Sequence, residues 1–354
     1  MNQKTSSRHV SEQEQPTLCK TAENGKGNGR RFPLVEVAGT PYAMGKAHGT
    51  VLRAKIEYSL EVAKALLPVP FEIAVKYCKR SIPYCREKAP DLMEEVQGIA
   101  DGAGMGFDEI FTLNASLDLM GSGAHLKTYA GPDCWAMALN GPATGGRTLV
   151  AWTAEDSARW FDACILLKVM PEQGFPCLMW TFAGFIGRPG LNPRLALSAA
   201  CQVDPGCGDG MPYPFICRRA LGCATTAEAI RSITECDRMS GMAYAIGDST
   251  GDIVTLKTSA RAWRTMDYPA GWTASSGRWA EERLARIEEL LREQWGQNGV
   301  EEIERIQRDH GPGNLCAHDG SLATLTCFIC DVQDRAMWLT WGSPCTEKYL
   351  RYEL

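Results

Sequence analysis

The chain has 354 residues, 45% of them apolar and 22% charged, so it can bury a large core in one α/β domain or two closely associated parts. A formal net charge of −5 gives no electrostatic reason to expect nucleic acid or an anionic membrane as a partner. No apolar run approaches the roughly 20 residues that cross a bilayer. Fifteen cysteines without a secretory signal indicate reduced thiols and a cytoplasmic protein.

The first third of the chain is predicted to be mainly helical. Residues 1–31 are polar and rich in Gly, Gln, Glu and Lys, a composition typical of a disordered leader. The α part then covers residues 32–133. It opens with the strand pattern "RFPLVEVAG", after which Thr40 can cap a helix and Pro41 can take its first position.

Two further helical stretches follow in the α part. One is predicted near residues 71–89. The other, "PDLMEEVQGIADGAG", ends in glycines and carries an apolar stripe at helical spacing, made of Leu92, Val96, Ile99 and Ala103.

Residues 134–354, the β part, begin with short apolar or alternating runs punctuated by Gly, Pro and Asn, which indicate strands. Helices are predicted at residues 225–238, where Thr226 can cap, and at 300–309. Between them lies a strongly periodic helix, "WAEERLARIEELLREQW". Its apolar face and its charged pairs are Leu284, Ile287 and Leu291, with Glu282–Arg286 and Glu288–Arg292. This order of strands and helices favours stacked sheets with helices outside.

Cys327 and Cys330 form a CxxC pair, which could indicate a zinc site. They lie in "LATLTCFICDV", which is typical of a strand, and an odd offset on a strand sends two side chains to opposite faces. Neither a second CxxC nor a close pair of histidines accompanies them, so we predict buried thiols here and no metal.

Cys134, in "GPDCWAMAL", is the candidate nucleophile. A cysteine that becomes an amino terminus needs no histidine, because its own α-amino group is a base within reach of the thiol. That route requires cleavage of the Asp133–Cys134 bond, most simply by attack of the thiol on the preceding carbonyl. Pro132 would help to make the turn rigid.

A cysteine–histidine dyad is the alternative. Of the five histidines, His9 lies in the leader, and His48 lies in the first helix as a surface or packing residue. The remaining candidates are His125, His310 and His318, none of which lies in a local motif.

From about residue 33 to the C-terminus, the chain resembles the acyl-coenzyme A:6-aminopenicillanic acid acyltransferase family. This family is also called isopenicillin-N acyltransferase-like or peptidase family C45, and it falls within the N-terminal-nucleophile hydrolases. The resemblance rests on the order of several blocks, which include "VEVAGTPYAMGKAHG", the Asp133–Cys134 junction, "GGRTLVAWTAED", "GRPGLNPRLALSAA", "GWTASSGRWAEERLARIEELL" and "NLCAHDG".

The resemblance implies an α+β fold, a four-layer αββα sandwich of two antiparallel sheets flanked by helices. It also implies a precursor that cleaves itself before Cys134, after which the α and β parts stay associated. The implied reaction is amide hydrolysis, or acyl transfer, through a thioester on that cysteine.

The site residues that the resemblance implies match this sequence only in part. The acid that orients the nucleophile's end of the site falls on Glu155, or on Asp156 with a slip of one residue. The Asn expected on the oxyanion side is replaced by Ser275 or Ser276, and a hydroxyl can still donate one hydrogen bond. The family's Arg in a late Cys-Arg motif is Ala317 here, which His318 or Arg278 would have to replace.

These observations lead to a cysteine amidohydrolase or acyltransferase with a small-molecule acyl substrate. No cofactor or metal is implied, although coenzyme A thioesters would serve as donors if transfer occurs. The alternative is a catalytically weakened or inactive member of the family that acts as a binding or scaffold protein.

Overall fold

The computed structural model describes residues 30–121, 134–201, 208–266, 268–277, 280–317 and 322–354. Several of the residues discussed above lie outside these ranges: almost all of the leader, His125, Asp133, Arg278 and His318. Among the described residues, none of the helices combines the length and the hydropathy needed to cross a membrane.

Helices dominate the α part and return near the end of the β part. The helices are α1 (Pro41–Leu66), α2 (Phe71–Cys78), α3 (Ile82–Lys88), α4 (Pro90–Ala103), α5 (Phe107–Gly121), α6 (Gly141–Thr144), α7 (Tyr213–Ala220), α8 (Thr226–Thr234), α9 (Ala280–Glu293) and α10 (Val300–Gln307). The strands are β1 (Leu34–Gly39), β2 (Trp135–Leu139), β3 (Leu149–Ser157), β4 (Cys164–Pro171), β5 (Cys177–Phe182), β6 (Gly190–Leu191), β7 (Leu195–Cys201), β8 (Met242–Asp248), β9 (Ile253–Thr258), β10 (Trp263–Met266), β11 (Trp272–Ser276), β12 (Leu322–Asp331), β13 (Ala336–Leu339) and β14 (Leu350–Glu353).

The strands form two sheets. One has the order β1-β4-β5-β6-β7-β8-β9-β10, and the other has the order β11-β2-β3-β12-β13-β14. Strands β2 and β3 face β7 and β8 of the other sheet, while α1 packs beside β1 and β4, and α9 and α10 pack beside β11 and β12. The predicted α+β architecture, two stacked sheets with flanking helices, is therefore confirmed.

One pairing departs from the expected antiparallel sheets. Strand β1 runs parallel to β4, with six residue pairs from Leu34 opposite Leu166 to Gly39 opposite Pro171. A parallel pair needs a long crossover connection, and this one runs through the helices of the α part and then through β2 and β3 of the other sheet. The first strand of the α part is thus hydrogen-bonded to a strand of the β part.

Strand β2 separates two apolar layers. Cys134, Ala136 and Ala138 belong to the larger core, which also contains residues of β4, β5, β7 and β8. The alternate residues, among them Trp135 and Met137, belong to a second core with α9 and α10. Because side chains alternate along a strand, one face of β2 lines the space between the sheets and the other contacts the outer helices.

Most of the local predictions hold. Thr40 caps α1, because its side chain accepts a hydrogen bond from the amide of Ala43, and Pro41 is the first helical residue. Helix α4 ends at Gly104, whose φ of +68° lies in the left-handed region. The cap of α8, however, is Thr225, one residue before the predicted Thr226.

The charged pairs of α9 agree only in part with the prediction, and the two cysteines of the CxxC pair lie on a strand as predicted. Arg292 pairs with Glu288 as predicted, but Arg286 pairs with Glu289 and Asp309 instead of Glu282. Asp309 comes from the loop after α10, which periodicity within one helix could not reveal. Cys327 and Cys330 lie on β12, and Cys330 packs in the larger core while the Cys327 thiol contacts Thr153.

Helices α1 and α4 approach each other closely. A Cβ added at Gly45 would lie 2.0 Å from the carbonyl oxygen of Glu95, and one at Gly98 would lie 2.2 Å from that of Tyr42. Only glycine fits at such backbone contacts, so these positions fix the distance between the two helices.

Candidate active site

Cys134 immediately precedes strand β2, which lies between β11 and β3 in its sheet. Its thiol is buried and lies 3.4 Å from both the amide nitrogen and the carbonyl oxygen of Glu155. The sulfur can therefore accept from the Glu155 amide and donate to the Glu155 carbonyl. The nucleophile predicted from the sequence and the proposed acidic segment are neighbours in the fold.

The carboxylate of Glu155 is held by Arg283 of α9. Three nitrogen–oxygen distances of 3.3–3.4 Å join the two groups, and both side chains are almost completely excluded from solvent. Arg283 also donates to the carbonyl oxygens of Gly313 at 3.0 Å and Asn314 at 3.1 Å. A buried ion pair of this kind is tolerated because further hydrogen bonds satisfy the guanidinium.

The loop between α10 and β12 packs against Trp135, on the outer face of β2. The indole of Trp135 donates to the carbonyl oxygen of Leu315 at 3.0 Å, and the next residue is the buried Cys316. Burial and a hydrogen bond with Cys345 raise the pKa of the Cys316 thiol to about 12, so this thiol is neutral. Ala317, which replaces the family's arginine, is fully buried. The guanidinium that contacts this loop comes from Arg283 instead.

The two serines occupy opposite faces of β11, and Asp156 lies near the end of β3. Asp156 accepts a hydrogen bond from the amide of Ser157 at 2.7 Å. Ser275 lies directly opposite Ala136 in the register of β11 and β2, and Ser276 lies opposite Trp135. Side chains of directly opposed residues share a face. Ser275 therefore faces the layer that contains Cys134, whereas Ser276 faces the outer helices.

Both hydroxyls are buried without a hydrogen-bond partner among the described atoms. A buried hydroxyl that lacks a partner carries a desolvation cost of about 1–3 kcal/mol. For Ser275, which shares its face with Cys134, this leaves a donor available to a bound group.

Two histidines among the described residues, His48 and His310, bear on a histidine-dependent site. His48 is buried in α1, where its Nε2 accepts from the amide of Gly184 at 2.9 Å, so it is a packing residue. His310 is exposed after α10 and lies with Cys316 and Cys345. His125 and His318 lie outside the described residues.

His310, Cys316 and Cys345 could hold a metal ion. Their ligand atoms lie within 4.8 Å of one another, which suits zinc or another thiophilic metal. The set supplies three ligands, one fewer than a structural zinc site uses, and the Cys316 thiol would have to lose its proton on binding.

His48 makes stability depend on pH. Burial lowers its pKa to about 4, below the ordinary value of 6.5. As the pH falls from about 6.5 to 4, the unfolded chain binds a proton that the folded chain does not, so stability is lost in that window. We expect His48→Gln, whose amide oxygen can still accept from Gly184, to reduce this acid dependence by up to about 1.4 kcal/mol per pH unit.

Urea unfolding at several pH values between 4 and 7 measures this effect, with His310→Gln at the exposed histidine as the control. If His48→Gln loses as much stability at low pH as the wild type does, groups other than His48 cause that loss.

Arg283 was not among the residues singled out in the sequence. One signal was present: Arg283 precedes Ile287 by four positions and Leu290 by seven, so it interrupts the apolar stripe of α9. A charged residue on a buried helix face indicates a partner in the core. The sequence does not say that this partner is Glu155.

The chain is similar to a family model and to two known proteins. The family model described as acyl-coenzyme A:6-aminopenicillanic acid acyl-transferase matches residues 199–346. An uncharacterized protein of Archaeoglobus fulgidus is 22% identical over 284 residues, which are 68% of this chain and 46% of the relative. The chain thus spans about half the length of that curated relative.

The chain also has a similarity to the crystal structure of a variant of conjugated bile acid hydrolase from Clostridium perfringens. That similarity covers 64% of this chain and 90% of the other, with 8% sequence identity and a TM-score of 0.32, which is too low to support a conclusion. The predicted family resemblance is confirmed over residues 199–346, which match the model of the acyl-coenzyme A:6-aminopenicillanic acid acyl-transferase family.

Proposed function

We propose that the chain is an N-terminal-nucleophile cysteine amidohydrolase or acyltransferase that cleaves itself between Asp133 and Cys134. Its substrate is a small N-acyl amide or an acyl thioester, such as a coenzyme A thioester. The observation that supports this most is the position of the Cys134 thiol, next to Glu155 at the start of a central strand.

In the proposed reaction, the thiol of Cys134 attacks the substrate carbonyl and its proton passes to the α-amino group freed by cleavage. The backbone amides near Cys134 and the hydroxyl of Ser275 stabilise the oxyanion. The leaving amine departs with the proton, which leaves a thioester on the sulfur. Water or a second amine then attacks the thioester, and the sulfur recovers a proton.

The two acidic residues have separate roles in this proposal. The Glu155 carboxylate is engaged by Arg283, so Glu155 positions Cys134 through its main chain. Asp156 alternates to the face of β3 that carries Trp152 and Ala154, which is the face of Cys134. Burial raises the pKa of the Cys164 thiol, and the Asp156 charge adds to this effect, so Asp156 lies close to that thiol. Asp156 is therefore the acid that orients the new ammonium.

Mass spectrometry of the purified chain tests the proposal. We expect two fragments, the larger beginning at Cys134, and covalent labelling of Cys134 by a thiol-reactive acyl probe. Cys134→Ala is expected to give one intact chain, and Cys330→Ala, which removes a buried thiol of the same core, should still be cleaved.

A non-catalytic binding protein is the second candidate. The buried Ala317 in place of the family's arginine favours it. An intact wild-type chain whose Cys134 resists the acyl probe would support this candidate and contradict self-cleavage.

A further inference from the structure

A fully buried loop connects β5 to β6. Residues 183–189 are all buried, including Phe185, Ile186 and Arg188. Loops usually run over the surface because buried backbone groups need hydrogen-bond partners. A loop that is buried and ordered in this way needs dedicated partners from the rest of the protein.

Two polar side chains of the α part supply those partners. Asn114 donates to the carbonyl oxygen of Gly184 at 2.8 Å and accepts from the amide of Ile186 at 2.9 Å, while His48 accepts from the amide of Gly184. A Cβ at Gly187 would lie 2.3 Å from the carbonyl oxygen of Pro214, so the loop also presses against α7. These contacts hold Arg188 in a fixed place.

The Arg188 guanidinium lies among aromatic rings. Its central carbon is 4.4 Å from the centre of the Phe182 ring, 4.9 Å from Trp180 and 5.2 Å from Trp152. The side chain is 4% exposed, and its Nε and Nη1 atoms have no hydrogen-bond partner among the described atoms. The aromatic faces attract the cation, but they do not satisfy its N–H groups.

The positive charge of Arg188 influences the pKa values of nearby groups, but these groups do not neutralise that charge. They include Cys164, Cys217 and Tyr213, whose pKa values burial raises well above the ordinary range, so all three remain uncharged. Burying an unpaired cation is costly, and cation–π contacts offset only part of that cost. Two N–H groups of Arg188 therefore lack acceptors among the described residues, and the carboxylate of a ligand would supply them.

Arg188 lies on the same side of the sheet as the nucleophile. Trp152, under the guanidinium, is directly opposite Ala136, and Cys134 is two residues from Ala136 on the same face. Strand spacing then puts the guanidinium roughly 10 Å from the Cys134 thiol. A small substrate bound at Cys134 spans that distance.

We propose that the substrate carries a carboxylate and that Arg188 binds it between the three aromatic rings. This inference rests on the proposed function for the role of the ligand as a substrate. It makes Arg188 the specificity determinant: an N-acyl amino acid, with its amide carbonyl at Cys134 and its carboxylate at Arg188, fits the arrangement.

Binding measurements on Cys134→Ala test the proposal without turnover. The probes are N-benzoylglycine and N-benzoylglycinamide, which have nearly the same size and differ in charge. Calorimetric titration is expected to give at least about tenfold tighter binding of the acid. Adding Arg188→Gln should reduce this preference to about onefold, and adding Arg188→Lys should retain part of it because the positive charge remains.

Equal affinities for the two probes would overturn the proposal, and so would the absence of binding of either probe at millimolar concentration. An acid preference that survives Arg188→Gln would also overturn it. If Arg188→Gln fails to fold, the Arg188→Lys variant provides the test. The proposal then requires its preference for the acid to be smaller than that of Cys134→Ala alone. Preferential binding of the acid by Cys134→Ala, together with a wild-type chain that is never cleaved, would sustain Arg188 as an anion site while contradicting the proposed self-cleavage.

Discussion

Replacing Cys134 with alanine is expected to lower kcat/KM for hydrolysis of an N-acyl amide by more than about a thousandfold. Removing a covalent nucleophile costs at least this much in enzymes that use one. The loss is measured by steady-state release of a chromogenic amine. Stability should change little, by about 1 kcal/mol, because the change removes one buried sulfur atom.

The matched control is Cys330→Ala, which removes another buried thiol from the same core. We expect it to keep most of the activity of the wild type. If Cys134→Ala retains activity within tenfold of wild type, the nucleophile lies elsewhere. If both variants lose activity equally, the effect comes from packing rather than from chemistry.

The second large effect concerns the Glu155–Arg283 pair. Glu155→Gln removes one charge of the pair and leaves the buried Arg283 guanidinium without the Glu155 carboxylate. Breaking a buried pair in this way costs about 3–5 kcal/mol. We therefore expect the free energy of unfolding in urea to fall by that amount, and activity to fall with it, because the Glu155 main chain contacts Cys134.

The double variant Glu155→Gln with Arg283→Met distinguishes the pair from either residue alone. It removes both charges, so we expect it to recover a large part of the lost stability. Glu289→Gln, at the exposed partner of Arg286, is the surface control and should change stability by no more than about 1 kcal/mol. Additive losses in the double variant would show that the two side chains are not coupled.

The elements that depend on local chemistry could be predicted from the sequence. The cap at Thr40, the glycine stop after α4 and the apolar stripe of α9 each depend on neighbouring residues, and the structure contains all three. The parallel pairing of β1 with β4 could not be predicted, because it joins residues more than 120 positions apart. Burial patterns alone do not specify which strand is the neighbour.

The candidate site shows the same division. Cys134 and the acidic segment at Glu155 could be located by motif order, and the fold brings them together. The partners of this site could not be located, since Arg283 and Arg188 come from a helix and a loop far along the chain. In a sequence, an arginine that will be buried looks like one that will be solvated, until a tertiary contact reveals the difference.

The parallel strand at the edge of the larger sheet also bears on what a backbone break before Cys134 would do. Strand β1 is held against β4 by a ladder of six residue pairs, and the side chains of both parts interdigitate in one core. We therefore expect that a chain severed at this point would stay together as a non-covalent heterodimer. The edge of that sheet joins strands from both sides of the break, so a cut made in the folded chain would leave its hydrogen bonds in place.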